Sequence, residues 1–274
     1  ITHITYQSSS GGALYVSTLT KSLAKNNINV NLICPQNFEY KKNLNNNRIK
    51  IYLIKKSKIY FPINFFNILI NQINCFKSSI NFCKKLKNEN SIIHLNHVGE
   101  FYFLNLILIK ILKIMKFKVV YTIHDIIPHR WLFPIYLRFF EKTFLRLLYQ
   151  RCDALIIHYK DGIDMLEKQF SIERNQIYYI PHFGSAEYLK NSKSEKKYQN
   201  KNNYLTALMF GGIRETKGVH LAIKAIQSLN KNKNIMKLII AGRPSSKERP
   251  YWEVCKNLYE KNKFNIEIIE DYIC

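Results

Sequence analysis

The amino-acid sequence predicts an α/β protein in which parallel sheets are covered by helices on both faces. Short runs of β-branched residues alternate with longer segments whose apolar positions recur at helical spacing, the pattern of successive βα units. The strand candidates are apolar along nearly their whole length, as expected for strands that are buried on both sides. With 274 residues, 47% of them hydrophobic, the chain is long enough to form more than one core.

The first part of the chain predicts a seven-stranded, doubly wound domain over residues 1–185. Strands are expected near 1–6, 28–34, 49–54, 91–95, 117–123, 153–158 and 177–180. Helices are expected near 13–25, 65–86, 100–115, 132–150 and 161–170.

A second, smaller domain is predicted over residues 204–274. It follows a polar stretch, 186–203, whose Lys, Asn and Ser residues show no apolar period and predict a linker. The βα pattern then restarts, with strands at 205–210, 237–241 and 266–270 and helices near 217–230 and 250–262. This is about half of a doubly wound domain, so we expect its last strand to leave an unpaired sheet edge.

The composition limits the cellular setting. Lys and Arg number 42 against 19 Asp and Glu, a formal net charge of +23 that favours phosphorylated ligands, anionic membranes or nucleic acids, or reflects a bias toward Lys. The six cysteines form neither CxxC nor zinc spacing, which predicts reduced thiols, no metal site and a cytoplasmic location. No signal peptide is expected, and the most apolar run, 101–109, is too short to cross a bilayer.

A glycine pair follows the first strand in the sequence SSSGGA. Gly11 and Gly12 permit a sharp turn and close approach of a ligand, and the amides of a helix beginning near residue 13 favour an anion. A tight turn without a ligand is the alternative. The motif is not GxGxxG and no acidic residue ends the second strand, so no nicotinamide cofactor is expected.

Histidines follow three of the later strands. His124 and Asp125 come at the end of the fifth strand, where a neutral imidazole can both donate and accept hydrogen bonds, and the carboxylate can orient it or cap the next turn. His158 and His182 follow the sixth and seventh strands. The carboxyl ends of parallel strands meet at one edge, so these residues are expected to line one rim. A structural role for His124 is equally open.

The stretch MFGGIRETKG predicts phosphate binding. Strand 205–210 ends in a glycine pair, and Arg214 and Lys217 are expected at the start of the next helix. Two cations at the positive end of a helix are unfavourable unless an anion is present, and both residue types bind diphosphates. A solvated surface loop is the alternative, and we favour the phosphate interpretation.

In chain order, these motifs resemble the retaining glycosyltransferases of family 4, which have the GT-B fold. The resemblance rests on GGA, HD, DALIIH, IPHFG, FGGIRETKG and LIIAGRP, and it covers essentially the whole chain. It implies two Rossmann-like domains facing a cleft, the second incomplete, which bind a nucleotide-diphosphate sugar. It also implies transfer of the sugar with retained configuration to a glycan or lipid-linked glycan in cell-surface polysaccharide synthesis. Basic residues and helix termini, rather than a metal ion or cofactor, would neutralise the diphosphate.

The resemblance assigns roles to residues of the first domain. Gly11 and Gly12 correspond to the glycine loop near the donor phosphates. His124, with Asp125 beside it, corresponds to the residue near the transferred sugar.

In the second domain, the resemblance assigns donor-binding roles to the residues that follow the strands. Lys217 matches the lysine of an R-x4-K pattern that contacts the diphosphate. The arginine position of that pattern is Gly212 here, and Arg214 stands two residues further on. Gly242 and Arg243, together with Gly212, are assigned to nucleotide binding.

Two glutamates that hold the donor sugar and ribose in the family would come after the last residue of this chain. We therefore expect the 274 residues to belong to a longer glycosyltransferase, and to bind donor weakly and transfer sugar poorly. A non-catalytic nucleotide-sugar-binding protein is the alternative. Specific nucleic-acid binding is not expected, because the basic residues are dispersed and no RNP-like, zinc-finger or helix-turn-helix motif occurs.

Residues 55–87 carry Phe and Ile between flanking lysines. This pattern predicts contact of the first domain with an anionic membrane surface, as in a peripheral membrane protein, or an ordinary amphipathic helix packed on the sheet.

Overall fold

The computed structural model describes residues 1–55, 64–86, 91–128, 131–182, 205–229, 236–260 and 265–271. The chain divides into two compact units, Ile1–Asn191 and Ser192–Cys274. The point of division and the predicted linker 186–203 lie outside the described residues. Each unit has its own sheet and its own core.

A seven-stranded parallel sheet forms the centre of the first unit, in the order β3-β2-β1-β4-β5-β6-β7. Its strands are β1 (Thr2–Ile4), β2 (Val30–Pro35), β3 (Ile49–Ile54), β4 (Ile92–Leu95), β5 (Lys118–Ile123), β6 (Ala154–Ile157) and β7 (Ile177–Tyr179). All seven predicted strands are confirmed. The chain adds strands outward from β1 to β3 and then, on the other side, from β4 to β7. The strand order therefore reverses between β1 and β4.

The α-helices described in this unit are α1 (Ser10–Lys25), α2 (Asn64–Lys85), α3 (Tyr102–Ile114), α4 (Arg138–Arg151) and α5 (Gly162–Phe170). Helices α2 to α5 pack over the largest core, in which Leu95, Leu112 and Leu148 are fully buried. Helix α1 packs over a separate core with β2. The helix predicted over 132–150 begins later, at Arg138, because a short 3-10 turn, Ile135–Leu137, precedes it.

The second unit contains a three-stranded parallel sheet in the order β10-β9-β8. Its elements are β8 (Leu205–Phe210), α6 (Val219–Leu229), β9 (Met236–Ala241), α7 (Arg249–Glu260) and β10 (Ile266–Ile269). The core contains the fully buried side chains of Ile223 and Trp252. The indole Nε1 of Trp252 donates to Glu270 Oε2 at 2.7 Å, which ties α7 to the end of β10. Within the described residues, β10 has a strand partner on one side only.

Helix α2 accounts for most of the apolar segment 55–87. Ser79 and Cys83 are buried on it, so the helix packs into the unit, as the packing interpretation expects. Phe66 and Ile68, near its start, are 44% and 38% exposed. Among the described helices, none combines the length and apolarity that a bilayer crossing requires.

Candidate functional site

The carboxyl ends of β1 and β4 meet where the strand order reverses. Ligands of open α/β sheets bind at such points, because the loops that follow the two strands diverge and leave a crevice. The backbone N–H of Tyr6, after β1, donates to the carbonyl oxygen of His97, after β4, at 3.0 Å. His97 is missing from the residues that the sequence indicated. It lies two residues after the end of β4, whereas His124 lies directly after β5, and the strand-end rule that identified His124 applies to it as well.

A buried amide network holds the loop that carries His97. The Phe101 N–H donates to Gln72 Oε1 at 3.0 Å, and Gln72 Nε2 donates to Asn105 Oδ1 at 3.0 Å. Asn105 Nδ2 in turn donates to the carbonyl oxygen of Gly99 at 3.0 Å. His97 itself has a φ of 47°, in the left-handed region that few residues with a side chain adopt. Such backbone strain persists only where the surroundings impose it, and it is concentrated at functional sites.

Four histidine rings form a continuous row along this edge of the sheet, which we call the histidine rim: His97, His124, His158 and His182. The rings of His97 and His124 are stacked, with centroids 4.0 Å apart and an interplanar angle of 12°. The next centroid distances along the rim are 5.2 Å and 4.9 Å. The buried Tyr15 ring of α1 contacts three of the four histidines. The structure thus places the three histidines indicated by the sequence together, and adds His97.

The glycine pair lies beneath this rim, but for a different reason than expected. Helix α1 begins at Ser10, so Gly11 and Gly12 belong to its first turn, and the predicted helix start near residue 13 is wrong. A Cβ on Gly12 would overlap Gln7 Oε1 and the His97 ring, so a side chain at this position would displace both of them. Gly11 has open space around it. The first turn contains no acidic residue, and the side chain of its N-cap residue, Ser9, makes no capping hydrogen bond.

Burial keeps the stacked pair of histidines neutral near pH 7. Desolvation lowers the pKa of His97 from its ordinary 6.5 to about 4, against a smaller opposing effect of the Asp125 charge. Desolvation, followed by repulsion from neighbouring histidines, lowers the pKa of His124 to about 3. A neutral imidazole offers one donor and one acceptor, which suits hydroxyl groups better than a dianion.

Three ring nitrogens of the histidine rim have no hydrogen-bond partner in the part of the chain that the structure describes. The Nδ1–H of His158 donates to the carbonyl oxygen of Ile180 at 2.8 Å, which fixes the tautomer of that ring. The Nε2 atoms of His97, His124 and His158 are buried and have no hydrogen-bond partner within the described residues. Buried polar atoms are nearly always hydrogen-bonded, so three unpaired ones in one row make this edge of the sheet a candidate binding site.

A cavity of about 440 Å³ opens beside the stacked pair. Its polar lining also includes Gln7, Glu100, Tyr102, Thr122 and the exposed Asp125. Its volume is in the range of small-molecule sites. No group of three or more His, Cys, Asp or Glu side chains with metal-binding geometry occurs in the ranges that the structure describes.

The second unit has its own candidate site at the carboxyl ends of β8 and β9. The loops after these strands pack backbone against backbone. The Ile213 N–H donates to the Arg243 carbonyl oxygen at 3.2 Å, and a Cβ on Gly242 would overlap the carbonyl oxygen of Gly211. Gly242 is therefore required for the close approach of the two loops, while the Arg243 side chain is exposed.

Arg214 and Lys217 stand before helix α6 rather than in it. Residues Glu215–Lys217 form a 3-10 turn, and Gly218 then adopts a left-handed conformation with φ 67°, so α6 begins after it. The predicted helix start near 217 is wrong for this reason. Both cationic side chains are exposed and have no ion-pair partner among the described residues. Lys217 lines a cavity of about 240 Å³ together with Gly212.

A family model described as Glycosyltransferase Family 4 matches residues 9–183. The matched range covers more than half of the chain and contains the whole histidine rim. The chain belongs to glycosyltransferase family 4. No curated protein sequence matches this glycosyltransferase.

Solved structures share the fold of this glycosyltransferase over nearly its whole length. HepE from Anabaena, in complex with UDP and glucose, aligns with a TM-score of 0.65 and 12% identity over 100% of this chain and 69% of its own. A glycosyltransferase from Rickettsia africae ESF-5 aligns with a TM-score of 0.63 and 17% identity over 98% and 68%. A putative UDP-N-acetylglucosamine 2-epimerase from Listeria monocytogenes aligns with a TM-score of 0.60 and 11% identity over 99% and 69%. At these identities the likeness concerns the fold alone, and it confirms the predicted α/β GT-B fold.

Proposed function

We propose that this glycosyltransferase transfers a sugar from a uridine diphosphate sugar to a glycan or lipid-linked glycan, with retained anomeric configuration. The observation that carries the proposal is the stacked, neutral pair of His97 and His124 beside a cavity of ligand size. The buried Nε2 atoms of this pair have no hydrogen-bond partner among the described residues. The choice of nucleotide is supported by HepE, which was crystallised with UDP and with UDP-glucose.

In this proposal the first unit binds the transferred sugar. Sugar hydroxyls would donate to, or accept from, the unpaired Nε2 atoms of His97 and His124, which would satisfy both groups at once. Asp125, on the wall of the same cavity, would accept a further hydroxyl. The low pKa values of the two histidines support this role, because a neutral ring selects hydroxyls rather than phosphates.

In this proposal, backbone amides and cationic side chains bind the diphosphate of the donor. Arg214 and Lys217 would contact the diphosphate, and Gly212, Gly242 and Arg243 the nucleotide; the amides of Gly11 and Gly12 would add donors for a phosphate. As the bond between the anomeric carbon and the diphosphate oxygen breaks, negative charge grows on the diphosphate, and fixed cations stabilise it. The proposal gives this task to the basic residues rather than to a metal ion.

Retention restricts the course of the reaction. The acceptor oxygen must bond to the anomeric carbon on the face from which the diphosphate leaves. A diphosphate oxygen is then close to the acceptor hydroxyl and can take its proton.

We place the reaction in cell-surface polysaccharide synthesis, with the protein in the cytoplasm and peripheral to the inner face of the membrane. The net charge of +23 supports contact with anionic lipid.

The test compares sugar transfer with nucleotide binding in His124→Ala. Transfer from a panel of UDP-sugars to a lipid-linked glycan should fall by about 100-fold or more, the scale of losing one preorganised hydrogen-bonding group. The affinity for UDP should stay within about two-fold, because the ring is assigned to the sugar. His220→Gln, outside both cavities, is the matched control. Transfer within a few-fold of wild type would make His124 structural. UDP binding without sugar transfer by the longer glycosyltransferase, rather than by these 274 residues alone, would favour the non-catalytic alternative.

A further inference from the structure

The 3-10 turn Ile135–Leu137 and the first turn of helix α4 carry an exposed apolar surface, which we call the α4 patch. Ile135 and Tyr136 are each 76% exposed, Phe139 is 72% exposed and Phe140 is 55% exposed. Single exposed apolar residues are common on soluble proteins, but four large ones within residues 135–140 form a contiguous patch of the kind found at interaction sites.

A cavity of about 400 Å³, which we call the cationic groove, adjoins this patch. Arg138, Lys142 and Arg146 line it, and their spacing of four residues places them on one face of α4. None of its lining residues is acidic; the others are Ile127, Trp131, Phe139, Thr143, Gln169 and Phe170. Three positive charges therefore meet in a groove with aromatic walls, and no described residue that lines it carries a carboxylate.

The three cationic side chains of the groove are still able to bind an anion, as their present contacts show. The Nε of Arg138 is buried and has no hydrogen-bond partner among the described residues. The Lys142 ammonium lies 5.9 Å from the centroid of the Trp131 ring, and Arg146 Nη2 donates to Ser171 Oγ at 3.0 Å. An anion in the groove would supply the partner that Arg138 lacks and relieve the repulsion among the three charges.

Glu141, the acidic residue of α4 that stands next to Lys142 in the sequence, makes its hydrogen bonds outside the cationic groove. Glu141 is 3% exposed, and its two carboxylate oxygens accept the N–H groups of Leu132 and Phe133 at 2.9 Å and 3.0 Å. Both oxygens are directed at the loop before α4, so Glu141 holds that loop in place and does not neutralise the groove.

We propose that the α4 patch and the cationic groove dock the protein on an anionic phospholipid bilayer. A lipid phosphate occupies the groove, and the patch enters the boundary between headgroups and acyl chains, where aromatic side chains flanked by cations are stabilised. A bilayer fits better than a nucleic acid, because the phosphate backbone of a nucleic acid offers no partner for Ile135 or the other apolar side chains of the patch. The inference rests on the proposed membrane location, but it concerns docking and is measured without sugar transfer.

The experiment measures cosedimentation of the full chain with phosphatidylcholine vesicles, with and without phosphatidylglycerol. We expect binding only when phosphatidylglycerol is present. The variant Arg138→Gln/Lys142→Gln/Arg146→Gln should bind roughly 100-fold more weakly, about five-fold for each basic residue. The charge-matched control carries Lys25→Gln, Lys41→Gln and Lys42→Gln, three exposed positions away from the groove, and should lose much less.

A second pair of variants separates bilayer docking from simple anion binding. Tyr136→Ser/Phe140→Ser removes apolar patch residues that do not line the groove, and it should weaken vesicle binding while circular dichroism stays unchanged. Phe66→Ser/Ile68→Ser removes the two most exposed apolar residues at the start of α2 and should leave binding intact.

Several outcomes would overturn the proposal. They are absence of vesicle binding, binding without dependence on anionic lipid, equal losses in the groove and control triple variants, or full binding by Tyr136→Ser/Phe140→Ser. Loss of binding in the α2 variant alone would assign docking to α2 instead. If the groove triple variant lost affinity for an RNA oligonucleotide but not for vesicles, the ligand would be a nucleic acid and the proposal would fail.

Discussion

Lowering the pH from 7 to 5 should destabilise the first unit much more than the second. The first unit contains the histidine rim and two further buried histidines, His3 and His94, whereas the second contains the single histidine His220. His94 is 6% exposed, and its Nε2 forms a hydrogen bond with Thr122 Oγ1 at 2.7 Å. Desolvation, with a smaller contribution from His158, lowers its pKa from 6.5 to about 4.

The pKa of His94 in the unfolded chain, 6.5, and in the folded protein, about 4, give the direction and the size of the pH effect on stability. The folded-state pKa of His94 lies below the unfolded value, so the unfolded chain binds more protons between pH 6.5 and 4. The stabilisation by neutral His94 is therefore complete above about pH 6.5 and is lost as the pH falls toward 4. At pH 5 the loss for this one residue is about 2 kcal/mol, a substantial part of the about 5–15 kcal/mol by which a domain is stable. The other depressed histidines act in the same direction.

Hydrogen exchange with mass spectrometry in urea gives the unfolding midpoint of each unit in one sample. In His94→Gln the pH-dependent loss of the first unit should shrink by about 2 kcal/mol, whatever the variant's own stability at pH 7. His220→Gln, the matched control, should leave the pH dependence of the first unit unchanged. Equal stability of the first unit at pH 7 and pH 5, or an equal loss in wild type and His94→Gln, would refute the assignment of a neutral buried His94.

Two further predictions concern the loops around the candidate sites. Glu141→Gln should destabilise the first unit by about 2 kcal/mol, because it removes the charged acceptor of two partly buried hydrogen bonds from the loop before α4. Glu173→Gln, an exposed control, should have little effect. Urea midpoints of the first unit measure both, and equal midpoints would contradict this role of Glu141. Gly242→Ala should destabilise the second unit by more than about 2 kcal/mol, since its methyl group overlaps the Gly211 carbonyl, whereas Gly11→Ala, with open space in a helix, should be neutral or stabilising. A stable second unit in Gly242→Ala would show that the two loops can separate.

The strands were predictable because each is a short run of apolar and β-branched residues. Burial on both faces, which the sequence also predicted, holds for β1 and for nearly all of β2 but not for β8, where Leu205, Leu208 and Phe210 are exposed. The predicted bounds of the strands at 49–54 and 205–210 agree with those of β3 and β8. The starts of α1 and α6 were less predictable, because they depend on local turn chemistry. The 3-10 turn at Glu215–Lys217 and the left-handed Gly218 delay α6, although the same residues taken alone could continue a helix.

The candidate site was predictable in its location but not in its geometry. The strand-end rule identified His124, His158 and His182, and it could have identified His97 from the sequence HLNHVGE. The stacking of His97 on His124 depends on a left-handed backbone and on a network from α2 and α3, which involve long-range contacts. The four-residue spacing of the α4 cations can be read from the sequence. The groove around them cannot, because its far wall comes from Gln169 and Phe170.

The central claim, that the chain binds a uridine diphosphate sugar through the cations after β8, is tested most directly by titration calorimetry with UDP and UDP-sugars. Lys217→Ala should weaken binding by about 1.5–3 kcal/mol, the scale of a hydrogen bond to a charged group, and should change the stability of the second unit by no more than about 0.5 kcal/mol. Lys224→Ala, an exposed lysine on α6, is the matched control and should bind as wild type does. The account predicts measurable binding of at least one UDP-sugar by the wild-type chain and a selective loss in Lys217→Ala. It would be contradicted if no UDP-sugar bound, or if Lys217→Ala bound as tightly as the control.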